Sequence, residues 1–446
     1  MVLSTSRSVR IAAVLALCVF GGIRLVAVAQ PSEERTPKLS STAERVYKSA
    51  RPRLLQVRTI LANAGRQSSI GSGFLVSASG LAVTNYHVVS QFAMEPTTYR
   101  LEYTAADGAR GTLRLLAFDI ANDLAVVQLD RPAQGFFEFD ARALHEMPAK
   151  GERLYSMGNP LDLGFTIVEG TYNGAVERSY NERIHFSGAI NPGMSGGPTV
   201  SAASRIVGIN VAKRRDGELV SFLVPARFAA ELVAHAANAA PLSADAIREE
   251  IARQLVTWQA GLYNVVVAET WPVASFGPYR APEGPSAWFN CWASTNANQV
   301  PKPRGTVNTT SCYTNTWLFV AGDLTTGQIS AVHSYLKAVD LNDFQFAAFA
   351  SQHYQASSYG WSRKRHTRTR CHESFLEGQD DRPAMRAVWC ARAYREYEGL
   401  YDVSVLAVTQ DHAREALVTR LSMHGVAYDN AMQLAHRFLG EVRLVR

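Results

Sequence analysis

A chain of 446 residues exceeds what a single hydrophobic core ordinarily supports, so two or three domains are expected. Its 47% hydrophobic and 10% aromatic content is that of a folded globular protein and excludes a disordered or fibrous one. The formal charge of +6 is modest, and Arg7, Arg10 and Arg24 lie among the first 29 residues, which hold no acid, so no nucleic-acid partner is called for.

The N-terminus has the pattern of an export signal. The basic stretch MVLSTSRSVR precedes the apolar run IAAVLALCVFGGI, and AVA at 27–29 fits a small-x-small cleavage site. The run is short for a spanning helix, and Leu17 before Cys18 departs from a lipoprotein signal. Residues 1–29 are therefore expected to be a signal peptide and 30–43 a polar leader, with a periplasmic or secreted location. Removing the signal leaves Cys291, Cys312, Cys371 and Cys390, an even number in an exported chain, so disulfides are expected. Their spacing lacks the C-x-x-C pairs of a zinc site, and neither a metal nor an organic cofactor is expected.

Along the chain, Ser41 and Glu44 have capping-box spacing and predict a short helix. From about 54 to 225 the texture is β: short runs such as LLQVRTI, GFLVS, LAVVQL and RIVGINVA are punctuated by turn residues, as in a barrel or sandwich. A helix over 225–237 would close that domain, 44–237. Residues 238–260 read as a linker, NAAPLS, and a helix capped by Ser243 with Ile247, Ile251 and Leu255 on one stripe. The remainder, 261–446, reads as an α+β domain with an internal duplication at an offset of 86 residues, which places Val320 on Leu406 and Asp343 on Asp429. Each half is preceded by two cysteines, 21 and 19 residues apart, and that parallel favours the pairs Cys291–Cys312 and Cys371–Cys390.

Chemistry concentrates in the first half. Ser195 sits in GAINPGMSGGPTV, where glycine allows a tight turn that brings the Gly193 and Ser195 amides to one point. A serine hydroxyl needs a base to take its proton, and His87 in TNYHVV, read as the end of a hairpin strand, is the candidate. Asp123, at the head of the apolar run LAVVQL, is preferred over Asp119 as the carboxylate that orients it. The order His, Asp, Ser on one β-rich domain is that of chymotrypsin-fold enzymes.

Over residues 44–228 the chain resembles the trypsin-like serine proteases of the HtrA (Deg) type. The blocks GSGFLVSASGLAVTNYHVV, NDLAVVQL, YSMGNPLDLGFTIVEGTYNGAVER, AINPGMSGGPTV and RIVGINVA followed by VSFLVPA carry the likeness, in order. The resemblance implies a double six-stranded barrel with the site in the cleft between. It makes His87 the general base, Asp123 its orienter, Ser195 the nucleophile, and the Gly193 and Ser195 amides the oxyanion hole. Two departures stand out: Met194 replaces the family's usual asparagine, and no PDZ-type carboxylate-binding loop follows residue 240. By analogy with the wider fold, Ala189 lies at the base of the specificity pocket with Ile190, Ile209 and Val211 as apolar neighbours, which implies cleavage after small or medium apolar residues.

The expected function is thus an exported serine endopeptidase acting on protein or peptide substrates, with a possible protein partner at the C-terminal domain. The alternative is a silent or partner-activated protease-fold protein that works through residues 261–446. Of the other features, the basic run SRKRHTRTRCHE at 362–373 reads as the solvated face of a hairpin, and Trp271, Tyr279, Trp288 and Trp292 read as the core of a small disulfide-held domain.

Overall fold

The computed structural model describes residues 40–140, 144–213, 219–284, 288–355 and 362–445. The predicted signal peptide and the leader through residue 39 lie outside the described residues.

Two closed six-stranded antiparallel barrels occupy the first half. The first comprises β1 (Leu54–Leu61), β2 (Arg66–Leu75), β3 (Leu81–Thr84), β4 (Tyr99–Ala105), β5 (Arg110–Asp119) and β6 (Leu124–Leu129), in the order β1-β2-β3-β6-β5-β4, closed by pairing of β1 with β4. The second comprises β7 (Arg153–Gly158), β8 (Thr166–Ala175), β9 (Ile184–Phe186), β10 (Pro198–Val200), β11 (Ile206–Lys213) and β12 (Ser221–Pro225), in the order β10-β11-β12-β9-β8-β7, closed by β10 on β7. Strand side chains alternate between faces, and β4 shows it: Leu101, Tyr103 and Ala105 are buried and the residues between them are not. Phe74, Val83 and Val126 of the first barrel share one core cluster with Tyr155, Met157, Ile209 and Val224 of the second, so the two barrels are fixed against each other.

The helices refine the sequence reading. Helix α1 (Ser41–Ala50) is capped one residue earlier than expected, by Ser40, whose hydroxyl accepts the Ala43 N–H at 3.4 Å. His87 does not end a strand: β3 stops at Thr84, and His87 is the second residue of helix α2 (Tyr86–Met94). The apolar run VV after it satisfies either period, and burial of Val88 and Val89 against the first barrel decides for the helix. Helix α3 (Ala226–Ala236) follows the second barrel. Helix α4 runs from Ala244 to Ala268, beyond the predicted end near 260, and Ser243 caps it by accepting the Ala246 N–H. It is not a free linker. Its stripe Ile247, Ile251 and Leu255 is buried in the same cluster as Tyr86 and Val88, at on the order of 1.5–3 kcal/mol per side chain.

The second half begins with short strands β13 (Val273–Phe276) and β14 (Tyr279–Pro282). Then come β15 (Phe289–Thr295), β16 (Gly305–Thr314), β17 (Leu318–Ala321), β18 (Leu324–Thr326), β19 (Ile329–Ala338) and helix α5 (Asp343–His353). After these lie β20 (Arg370–Leu376), β21 (Met385–Ala393), β22 (Leu400–Thr409), β23 (Glu415–Ala427), helix α6 (Tyr428–Gly440) and β24 (Arg443–Leu444). Seven strands form one antiparallel sheet in the order β15-β16-β19-β23-β22-β21-β20. At the 86-residue offset Ile329, the start of β19, falls on Glu415, the start of β23; each of these strands leads into a helix, and the two pair at the sheet centre. The offset also places β17 on part of β22, and here the halves part. β22 is built into the sheet, whereas β17 stands outside it and pairs with β18 as a separate hairpin.

Cys291 faces Cys312 across β15 and β16, Cys371 faces Cys390 across β20 and β21, and both pairs are disulfide-bonded. Each disulfide ties an edge strand of the sheet to its neighbour. Two expectations fail here. Trp292 is 66% exposed on the β15 edge rather than in a core, although Trp271 and Tyr279 are buried. Within the basic run Arg365 is only 4% exposed, because it bonds the Asp323 carboxylate at 3.0 Å and Glu396 at 2.5 Å instead of water.

Candidate active site

His87, Asp123 and Ser195 come from three separate elements. His87 stands in the first turn of α2, Asp123 immediately precedes β6, and Ser195 lies in the loop before β10. The Asp123 carboxylate grips the histidine twice: Oδ1 accepts the His87 backbone N–H at 2.9 Å, and Oδ2 accepts Nδ1–H at 2.6 Å. The first contact fills an orphan donor of the helix N-terminus. The second fixes the tautomer, because an ionised carboxylate can only accept; Nδ1 must carry the proton, and Nε2 is left as the basic atom. Burial opposes the charged imidazolium, but the Asp123 charge and hydrogen bond outweigh it, and the His87 pKa stands above its ordinary value.

Local backbone holds Asp123 in place. Its φ of 59° is left-handed, a region aspartate tolerates better than most residues. Asn85 Nδ2 donates to its carbonyl at 2.7 Å. From the second barrel, Arg183 Nη2 donates to the Ala121 carbonyl at 3.1 Å. Asp119, the competing acid, is engaged elsewhere: it accepts both the backbone N–H and Nδ2 of Asn122 and so shapes the turn.

The serine loop is held from both barrels. Ser72 N–H donates to the Ser195 carbonyl at 2.7 Å, and Ser72 Oγ donates to the Gly193 carbonyl at 2.7 Å while accepting the Asn159 N–H at 2.9 Å. Asn210, wholly buried, donates through Nδ2 to the Met157 and Met194 carbonyls, and its own carbonyl accepts the Gly196 N–H. Sequence reasoning singles out neither Ser72 nor Asn210; the S in GSGF and the N in GIN carry no chemistry of their own and act only through the loop they hold. Gly193 has φ 93°, and a Cβ there would lie 2.4 Å from the Asn159 carbonyl oxygen, so only glycine fits. The Pro192 carbonyl accepts the Leu161 N–H at 3.0 Å, which turns the Gly193 N–H, on the opposite side of the same peptide plane, away from Leu161. Among the described residues, neither the Gly193 nor the Ser195 amide donates to a protein acceptor, so both remain available to an oxyanion. Met194 turns its side chain into the second barrel's core beside Ile190 and Leu223.

The Ser195 hydroxyl is not hydrogen-bonded to the imidazole. It makes a long 3.4 Å bond to the Val211 carbonyl. Of the residues assigned to the specificity pocket, Ala189 is exposed, Val211 is half-buried, and Ile190 and Ile209 are fully packed in core clusters.

The C-terminal half reaches the histidine side of this site. Tyr86, completely buried, donates its hydroxyl to the Val320 carbonyl of β17 at 3.0 Å. The Phe319 ring meets the His87 ring edge-to-face at 6.2 Å between centroids. Lys364 pairs with Glu95 just beyond α2 at 2.6 Å. No group of three or more His, Cys, Asp or Glu side chains is placed to hold a metal among the described residues, and no described helix is long and apolar enough to cross a membrane.

Residues 71–209 match the family described as trypsin-like peptidase domain. The chain is 31% identical over 169 residues to the putative serine protease HhoB of Synechocystis sp., covering 36% of this chain and 38% of that protein. It is 30% identical over 175 residues to a probable periplasmic serine endoprotease DegP-like of Rhizobium meliloti, covering 38% and 33%. The solved serine endoprotease of Yersinia pestis is similar over 44% of this chain and 67% of its own, at 24% identity and a TM-score of 0.38. The chain thus matches these curated relatives over about a third of their length. Residues 71–209 are thus similar to a trypsin-like peptidase domain, and this part of the chain is similar to the HhoB and DegP-like serine proteases.

Proposed function

We propose that the chain is an exported serine endopeptidase that cleaves protein or peptide substrates through an acyl-enzyme. The observation that supports this reading is the double grip of Asp123 on His87, which leaves Nε2 as the basic atom of the ring. In this reading Nε2 takes the Ser195 proton as Oγ attacks the scissile carbonyl, and Asp123 stabilises the imidazolium that forms. The Gly193 and Ser195 amides receive the oxyanion, and the imidazolium then gives its proton to the leaving amine. Water repeats the sequence on the acyl-enzyme. The chemistry needs no metal or cofactor. Cleavage follows small or medium apolar residues, since no acid stands among Ala189, Ile190, Ile209 and Val211 to pair with a basic side chain. The peptidase domain spans about 44–237, and the export signal and periplasmic relatives support an envelope or secreted location.

The experiment is labelling with a fluorophosphonate. The native chain is expected to label and Ser195→Ala to lose it, with turnover down by ~10⁶-fold. One observation favours a second reading, a resting site completed by a ligand: the Ser195 hydroxyl bonds Val211 and not His87. That reading expects no labelling until a peptide is added. A peptide library cut mainly after arginine or lysine would overturn the specificity.

A further inference from the structure

The C-terminal half holds a cavity of about 840 Å³, within the range of small-molecule sites. It is walled by the displaced hairpin β17–β18 and by strands of the large sheet. Trp317, Thr325, Gln328, His366, Arg392 and Asp402 are among its lining.

The charges in this cavity are matched internally. Asp402 is 1% exposed; its Oδ2 accepts Arg392 Nε at 2.9 Å and Nη2 at 2.7 Å, and its Oδ1 accepts the Tyr394 hydroxyl at 2.8 Å and the Gly425 N–H at 3.1 Å. Asp323, at the rim, is held by Arg365. A charged ligand would therefore lack an unbalanced counter-charge.

His366 is different. It is 6% exposed, yet neither ring nitrogen has a hydrogen-bond partner. Its Nε2 lies 3.5 Å from Asp402 Oδ2, and the ring rests edge-on against Tyr394. Burial holds its pKa below the ordinary value, so the ring is neutral, with one N–H donor and one acceptor lone pair. Leaving both unmade is costly, because each buried polar group keeps its full desolvation penalty. A hydroxyl answers either nitrogen, because it donates and accepts. The neighbouring Thr325 hydroxyl and Gln328 amide have the same dual character. Trp317 adds an indole 55% exposed, a flat apolar surface for the C–H face of a ring.

We propose that this cavity is a binding site for a neutral, hydroxyl-rich ligand, a saccharide, with Trp317 as its stacking surface and His366 as its buried polar anchor. The site belongs to the C-terminal half and does not depend on the peptidase reading.

The test uses the full chain and three neutral disaccharides, maltose, cellobiose and N,N′-diacetylchitobiose, followed by calorimetry and saturation-transfer NMR. At least one should bind saturably. Trp317→Ala, at an exposed position, should weaken that binding at least about fivefold. His366→Phe should weaken it by about the same factor, and His366→Gln, which keeps a donor and an acceptor, should restore part of it. Thermal unfolding of each variant separates a lost contact from a lost fold. No saturable binding of any of the three would overturn the proposal, as would binding indifferent to both Trp317→Ala and His366→Phe. Binding of inorganic phosphate or an acidic peptide that is sensitive to Trp317→Ala, with no disaccharide binding, would overturn the neutral ligand class.

Discussion

Among the described residues, Ser195 is held by groups of the two barrels, whereas His87 leans on the C-terminal half. Around the serine, Ser72 and Asn210 tie the loop to both barrels through buried hydrogen bonds. Around the histidine, Asp123 supplies the grip, but the helix that carries it is packed by α4, and β17 meets it through Phe319 and the Tyr86–Val320 bond. Each side is therefore vulnerable in a different place. A defect in the serine loop is a matter internal to the two barrels, while the setting of His87 depends on a strand more than 230 residues away in sequence.

Substitutions on the two sides put that contrast at risk. The largest effect is expected for Asp123→Asn, about 10⁴-fold in kcat, since an amide no longer enforces Nδ1–H. The pH profile should move with it. In the native chain a protonated His87 cannot take the Ser195 proton, so kcat/KM rises with pH through a pKa above 6.5. Removing the Asp123 charge leaves desolvation unopposed and shifts that limb to lower pH. A limb that stays put would assign it to another group.

Next comes Ser72→Ala, which strips the Gly193 carbonyl of its donor and the Asn159 N–H of its acceptor, at about 1–3 kcal/mol. Fluorophosphonate labelling should slow by roughly 10- to 100-fold. Full-rate labelling would show that the loop keeps its form without the clamp. The smallest effect is expected for Phe319→Ala, up to about tenfold in labelling rate, the worth of one aromatic contact. Tyr86→Phe, which leaves the Val320 carbonyl unpaired, should lower the melting temperature together with that rate. If both variants label at the native rate, the histidine side is as self-sufficient as the serine side, and the contrast fails.

Much of the site is readable in the chain because its chemistry is local. Gly193 and Gly196 mark a loop with left-handed backbone, and the two-residue string before LAVVQL delivers Asp123 to the mouth of a buried strand. The cysteine pairs are legible because each joins two strands of one hairpin, where sequence distance and spatial distance agree. The setting of His87 is not. TNYHVV fits a strand period as well as a helix period, and only the pocket that receives Tyr86, Val88 and Val89 selects the helix.

Short stretches of the chain suffice to specify a β-rich barrel or sandwich and the acid, base and serine candidates, because strand periodicity, turn residues and reactive side chains are properties of such stretches; the double barrel came from the resemblance of the ordered blocks to a known family. Long-range packing was needed to join α4 to the first barrel and to bury Arg365 on Asp323. It was needed, too, for β17 to abandon its sheet for the helix that carries His87. The physical cause is the same in each case: these contacts pair residues far apart in the chain, whose burial depends on which surfaces meet. LFVA in β17 and VLAV in β22 are equally apolar, and nothing within either run says which will line the sheet and which will face a histidine.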